Sequence, residues 1–286
     1  MGTVPRPSTG TGSDERSPRP AGTTPPAGVS VQISGLTVTY GTNIALQDID
    51  LTLHRGTSVA IIGPNGSGKS TLLGVISGLV RPTRGRVELG GSGRRPAAAH
   101  VLQTTVANEA VPLTVLETVR MGCYGRRGAL GRLTADDRRA VRDAIARMRI
   151  GDLAGRQLHE LSGGQRQRAY VAQGLAQQAD VLLLDEPITG LDLVTQETIT
   201  SVVRAERDAG RTVVLTTHDV GTADLADVVV LLATEVVAVG PPAQVLTPAN
   251  LARAYGRHVH VLDDGTVVLD EAHHHDHRHH DQLGPA

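Results

Sequence analysis

Gly63-Pro-Asn-Gly-Ser-Gly-Lys-Ser70 sets three glycines, an ammonium and two hydroxyls at fixed spacing. The spacing matches G-x-x-x-x-G-K-[ST], in which glycines let consecutive backbone N–H groups curl around phosphate oxygens. Gly63, Pro64, Asn65, Gly66, Ser67, Gly68, Lys69, Ser70 and the next residue, Thr71, are therefore candidate phosphate-binding residues. Lys69 is expected to reach the β- and γ-phosphates, and Ser70 to ligate Mg²⁺. The basic residues sharpen this reading: 27 of the 28 are Arg, and Lys69 is the single Lys. Arg does not replace a compact ammonium on a flexible stem. A guanine-selective Asn-Lys-x-Asp motif needs a second lysine, so it is excluded.

Two further segments carry chemistry. Val181-Leu-Leu-Leu-Asp-Glu-Pro187 places two acids at the end of an apolar run. Asp185 is suited to hold Mg²⁺ and Glu186 to polarise an attacking water. Leu161-Ser-Gly-Gly-Gln165 precedes a helix-like stretch from Arg166 to Gln177, putting Ser162, Gly163, Gly164 and Gln165 at a helix N-terminus, a ready anion site. At the far end of the chain, His273, His274, His275, His277, His279 and His280 fall within eight positions around Asp276. That composition suits Zn²⁺ or Ni²⁺.

The elements that must position these groups alternate between strand and helix. Val31–Tyr40 and Ile44–Leu53 read as strands joined at Gly41-Thr-Asn, and Thr57–Ile62 as a short apolar strand feeding the glycine loop. A helix is expected from Lys69 to about Leu79, then strands at Arg86–Leu89 and His100–Leu102. Thr114 to Gly155 is helical in character. There Thr134 and Asp137 form a plausible cap, and Val141, Ala144, Ile145 and Met148 make one apolar stripe. Val181–Leu184 and Thr212–Leu215 are continuous apolar runs of the buried parallel kind. The fold class expected is α/β: a β-rich N-terminal part, a mostly parallel core sheet and a helical subdomain at about 104–160. Residues 1–29 read as a disordered arm, 30–256 as the folded domain and 257–286 as a tail.

Composition narrows the function classes. The 286 residues, 40% hydrophobic, can bury a sizeable core, and a net charge of −1 selects neither nucleic acid nor anionic lipid. With no Trp, no Phe and four Tyr, a base-stacking platform is ruled out and no nucleic-acid partner is expected. One cysteine, Cys123, allows no internal disulfide. No apolar run reaches membrane-spanning length; the nearest, Val228–Gly240, is interrupted by Glu235. A cytoplasmic location is expected.

In this order, the phosphate loop, the Leu161–Gln165 segment and the Asp185–Glu186 pair resemble the ATP-binding cassette (ABC) family over roughly residues 30–256. The resemblance implies an ATPase using ATP and Mg²⁺, with Lys69, Glu186 and His218 as catalytic residues. Tyr40 looks like the aromatic that stacks on adenine. Gln103 looks like the glutamine that meets Mg²⁺ and couples to the membrane partner. Asp192, in Thr189-Gly-Leu-Asp192, looks like the loop that crosses to the other subunit, and His218 like the switch histidine at the γ-phosphate. Ser162–Gln165 would complete the nucleotide site of a second cassette, which implies a homodimer. Permease subunits, an extracytoplasmic substrate-binding protein and a place on the inner face of the membrane are implied as well.

A soluble ribosome- or chromosome-type member is the rival class. The single cassette and the 93 residues from Lys69 to Ser162, too few for a long coiled coil, favour a transporter. Pro112–Gly122, Glu186–Asp192 and Leu246–Gly256 look like segments of zinc, manganese or iron importers. Haem or siderophore import, or small-molecule export, stays open.

Overall fold

The structure, a computed structural model, describes residues 26–91, 97–103, 112–127, 131–256, 259–261 and 267–269. The histidine cluster at 273–280 and residues 1–25 lie outside the described residues.

Strands β1 (Val29–Tyr40) and β2 (Asn43–His54) form an antiparallel pair. β3 (Ser58–Ile62) then leads through the glycine loop into helix α1 (Lys69–Ile76). α1 stops three residues short of the expected end, because Gly78 takes φ +79° and leaves the helical region. β4 (Arg84–Leu89) returns to pair antiparallel with β1, giving a three-stranded sheet in the order β2-β1-β4.

β5 (Ala98–Val101) is followed by α2 (Val115–Arg127), α3 (Ala135–Arg147) and α4 (Gly163–Ala176). A complete capping box starts α3: Thr134 accepts from the Asp137 N–H, and the Asp137 carboxylate accepts from Thr134. Val141, Ala144, Ile145 and Met148 are buried, as their spacing required. Next come β6 (Val181–Leu184), α5 (Leu193–Asp208), β7 (Thr212–Thr217), α6 (Val220–Asp224), β8 (Val228–Ala233) and β9 (Glu235–Gly240). The chain continues through α7 (Pro242–Val245), α8 (Pro248–Tyr255) and the short pair β10 (Val259–Val261) and β11 (Val267–Leu269).

The core sheet has the order β5-β6-β7-β3-β8-β9, parallel except for β9. Its inner strands are apolar on both faces because two separate clusters flank them. Ile62, Leu182, Leu184, Val213 and Val229 face α2–α5, while Val59, Ile61, Leu183, Val214 and Val230 face α1 and the antiparallel sheet. The two faces alternate with period two, and aliphatic side chains fill both. Val228–Gly240, the longest apolar candidate in the sequence, is the β8–β9 hairpin, turning at Thr234 with φ +65°. Among the described residues no helix is long and apolar enough to cross a membrane.

Candidate functional site

A parallel sheet brings the C-terminal ends of its strands to one edge, and four of these ends supply the site. Gly63–Ser70 leaves β3, Gln103 follows β5, Asp185 and Glu186 follow β6, and His218 follows β7. Two of the loop's glycines, Gly63 and Gly68, have no room for a Cβ. Gly68 has φ +97°, and a Cβ there would lie 2.4 Å from the Ala45 carbonyl oxygen. A Cβ on Gly63 would lie 1.9 Å from the Leu232 carbonyl oxygen. Thr234 ties the loop to the rest of the fold, its N–H donating to Ser67 O at 3.0 Å and its carbonyl accepting from Gln47 N at 2.9 Å.

Lys69 is buried, and its Nζ donates to Gly63 O at 2.7 Å and Pro64 O at 3.0 Å, inside the loop. Ser67 is also buried, and its hydroxyl has no hydrogen-bond partner among the described residues. An orphaned buried hydroxyl in the loop that opens helix α1 fits an anion bound there.

Asp185 is buried at the end of β6. Its Oδ1 accepts from Thr216 Oγ1 at 2.6 Å and from Ser70 Oγ at 3.2 Å. The Ser70 hydroxyl, the Asp185 carboxylate and the nearby Gln103 amide form an oxygen-rich set that fits Mg²⁺. Among the described residues no group of three or more His, Cys, Asp or Glu could hold a softer metal. Glu186 has φ +45°, and its backbone N–H donates to Thr216 Oγ1 at 2.8 Å. Its Oε2 accepts from Gln103 Nε2 at 3.0 Å, and His218 Nδ1 stands 3.9 Å from the same oxygen, beyond hydrogen-bond range. Tyr40, at the end of β1, leaves 52% of its surface exposed.

Ser162–Gln165 gathers elsewhere. Ser162 caps α4, accepting from Gln165 N at 3.3 Å while Ser162 N donates to Gln165 Oε1 at 3.1 Å. Ser162 and Gly163 face solvent. Gly164 is packed so closely that a Cβ would come within 2.8 Å of Asp192 Oδ2 and 2.9 Å of Thr195 Oγ1. Asp192 in turn caps α5, accepting from Thr195 N at 2.9 Å and Thr195 Oγ1 at 2.8 Å. These bonds hold its carboxyl below the ordinary range.

Two groups of the site escaped the sequence reading. Thr216 joins Asp185 to Glu186; its only signal was a hydroxyl directly after the apolar run Val213–Leu215. His100 is a part-buried imidazole whose Nδ1 pairs with Ser77 Oγ at 3.0 Å, while its Nε2 is buried without a partner among the described residues. Burial lowers its pKa against the opposing pull of Asp185.

A phosphate loop, a strand-end acid pair and a histidine on parallel neighbours, with a serine-capped helix beside an inserted helical unit, define a nucleotide-binding cassette. The chain belongs to the ABC transporter family, whose model matches residues 46–189. It is 36% identical over 235 residues to the manganese transport system ATP-binding protein MntA of Synechocystis sp., covering 80% of this chain and 90% of that one. To the zinc transport system ATP-binding protein TroB of Treponema pallidum it is 38% identical over 231 residues, covering 79% and 87%. Among solved structures, it resembles a chain of an inward-facing ABC transporter described as of the metal-chelate type. That match has TM-score 0.70 and 28% identity, with 79% and 89% covered. It also resembles the dimeric bacterial ABC transporter cassette MJ0796, with TM-score 0.65 and 29% identity, covering 74% and 98%.

Proposed function

We propose that this chain is the ATP-hydrolysing subunit of an ABC transporter that imports a divalent metal, with residues 30–256 as the working domain. The observation that carries the ATPase reading is the convergence of Lys69, Ser70, Gln103, Asp185, Glu186 and His218 at one edge of the core sheet. Relatives named for manganese, zinc and iron transport support the metal reading.

The backbone N–H groups of Gly63–Ser70 and the N-terminus of α1 bind the phosphates of ATP. Lys69 exchanges its two loop carbonyls for phosphate oxygens, which are charged and therefore stronger acceptors. Tyr40 stacks on the adenine. Ser70, Asp185 and Gln103 would hold Mg²⁺, which would supply charge neutralisation at the phosphates. Glu186 Oε2 orients the water that attacks the γ-phosphorus, and Gln103 keeps that carboxylate in place. His218 steadies the γ-phosphate from the neighbouring strand.

The exposed Ser162–Gly163 turn, at a helix N-terminus, closes the nucleotide site of a second copy, so hydrolysis belongs to a homodimer. Permease subunits carry the substrate across the membrane, an extracytoplasmic binding protein delivers it, and the cassettes sit on the inner face.

The test is Glu186→Gln, which keeps the shape and the Gln103 contact but removes the charge. ATP binding should remain near wild type while phosphate release falls by about three orders of magnitude or more. An ATP-bound dimer should then be visible by size. Wild-type turnover in this variant would take Glu186 out of its assigned role.

A further inference from the structure

We propose that Thr216 is a positioning residue for the Asp185–Glu186 pair, its one hydroxyl fixing the carboxylate of the first and the backbone of the second. The inference rests on the ATPase reading above. Thr216 is fully buried on β7. In the parallel register Leu184 pairs with Leu215, so Thr216 lies one step beyond, where β6 gives way to the two acids. The preceding positions of β7, Val213, Val214 and Leu215, are apolar. A hydroxyl buried in such a strand is costly unless both its donor and its acceptor are used.

Both are used, and both partners belong to the acid pair. Thr216 Oγ1–H donates to Asp185 Oδ1 at 2.6 Å, and Thr216 Oγ1 accepts from the Glu186 N–H at 2.8 Å. Glu186 needs such a hold. Its φ of +45° is left-handed, which costs a non-glycine residue about 1–2 kcal/mol and persists only where neighbours impose it. That backbone turn directs the Glu186 carboxylate back to Gln103 and His218. Without the hydroxyl, the Glu186 N–H loses its acceptor and Asp185 Oδ1 loses its shortest bond. The carboxylate that orients the water then samples a wider range of directions. ATP itself, held by the loop and α1, is untouched.

The experiment compares wild type, Thr216→Val, Thr216→Ser and Glu186→Gln in the full chain. ATP hydrolysis kinetics are measured alongside ATP affinity by calorimetry. Thr216→Val keeps the branched shape and should lower kcat by about tenfold to a hundredfold, the size of a lost bond to a charged group. KM and ATP affinity should stay within about threefold of wild type, and Thr216→Ser should restore kcat to within about threefold. Wild-type kcat in Thr216→Val, a parallel loss of ATP affinity, or failure of Ser to rescue would each overturn the proposal. An active wild type with an indifferent Thr216→Val removes this inference alone. A wild type that hydrolyses no ATP removes the ATPase reading and this inference together.

Discussion

Glu206 is the carboxylate on which α3, the core helix α5 and the start of β7 meet. Its Oε1 accepts from Arg147 Nη1 and Arg211 Nη2, both at 2.5 Å. The exposures are unequal: 4% for the Glu206 side chain, 32% for Arg147 and 19% for Arg211. Each arginine can therefore reach water if its partner is lost, whereas the glutamate cannot. Arg147→Met or Arg211→Met alone leaves Glu206 one charge-assisted bond and should cost about 1 kcal/mol. The double substitution strands a buried carboxylate with no cation and should cost about 3–5 kcal/mol, well beyond the sum. Glu206→Met should cost only about 1–2 kcal/mol, because the two freed guanidinium groups turn outward. Urea unfolding of the four variants and wild type, followed by circular dichroism, measures these differences. Additivity of the two arginine substitutions to within about 0.5 kcal/mol would refute the argument, since it would mean that Glu206 remains solvated when unpaired.

Alanine at Gly66 meets nothing within 4 Å and bears only the strain of φ +79°, about 1–2 kcal/mol, whereas alanine at Gly68 drives into the Ala45 carbonyl. ATP calorimetry should show near-normal binding for Gly66→Ala and at least about a tenfold loss for Gly68→Ala; equal losses would contradict the loop geometry. Acid should destabilise the fold in two stages. Burial holds the folded-state pKa of His100 below its ordinary 6.5, so the unfolded chain takes up that proton first and stability falls as pH drops below 6.5. Burial alone would raise Asp227, but bonds from Ser58 and Arg207 outweigh it and set it below its ordinary 3.8. Its contribution, complete above that value, is lost as pH falls further. Melting temperatures across pH 7.5 to 3 should show the first stage vanish in His100→Asn, and its persistence would exonerate His100. For the histidine tail, calorimetry with Zn²⁺ and Ni²⁺ should find binding at pH 7.5 that fades near pH ~5.5 and is absent from a chain ending at Leu269. Equal uptake by both chains would place the metal elsewhere.

Much of the site was legible in the sequence because its information is local. Gly63–Ser70 encodes both the loop's shape and its charge, and Thr134 and Ser162 announce their helices through capping partners three residues on. The end of α1 was misjudged because apolar residues run on past Gly78, whose positive φ stops the helix. The β8–β9 hairpin was hidden by a turn at Thr234 without the glycine or asparagine that usually marks one. Thr216 escaped for a deeper reason. Its partners lie 30 and 31 residues away, and only the order of the strands brings them together.

That order has a consequence for how the chain is made. β3 carries the phosphate loop and sits between β7 and β8, both of which follow it late in the sequence. Ser58, at the head of β3, is held by Asp227, 169 residues further along. At about 5–20 residues per second, a ribosome needs roughly 10–30 s to supply those neighbours. For that interval Val59–Ile62 is an apolar strand with both edges unpaired, the kind of segment that recruits chaperones or other nascent chains. The nucleotide pocket is thus among the last parts of the cassette to close during synthesis, although its loop is among the first to be translated.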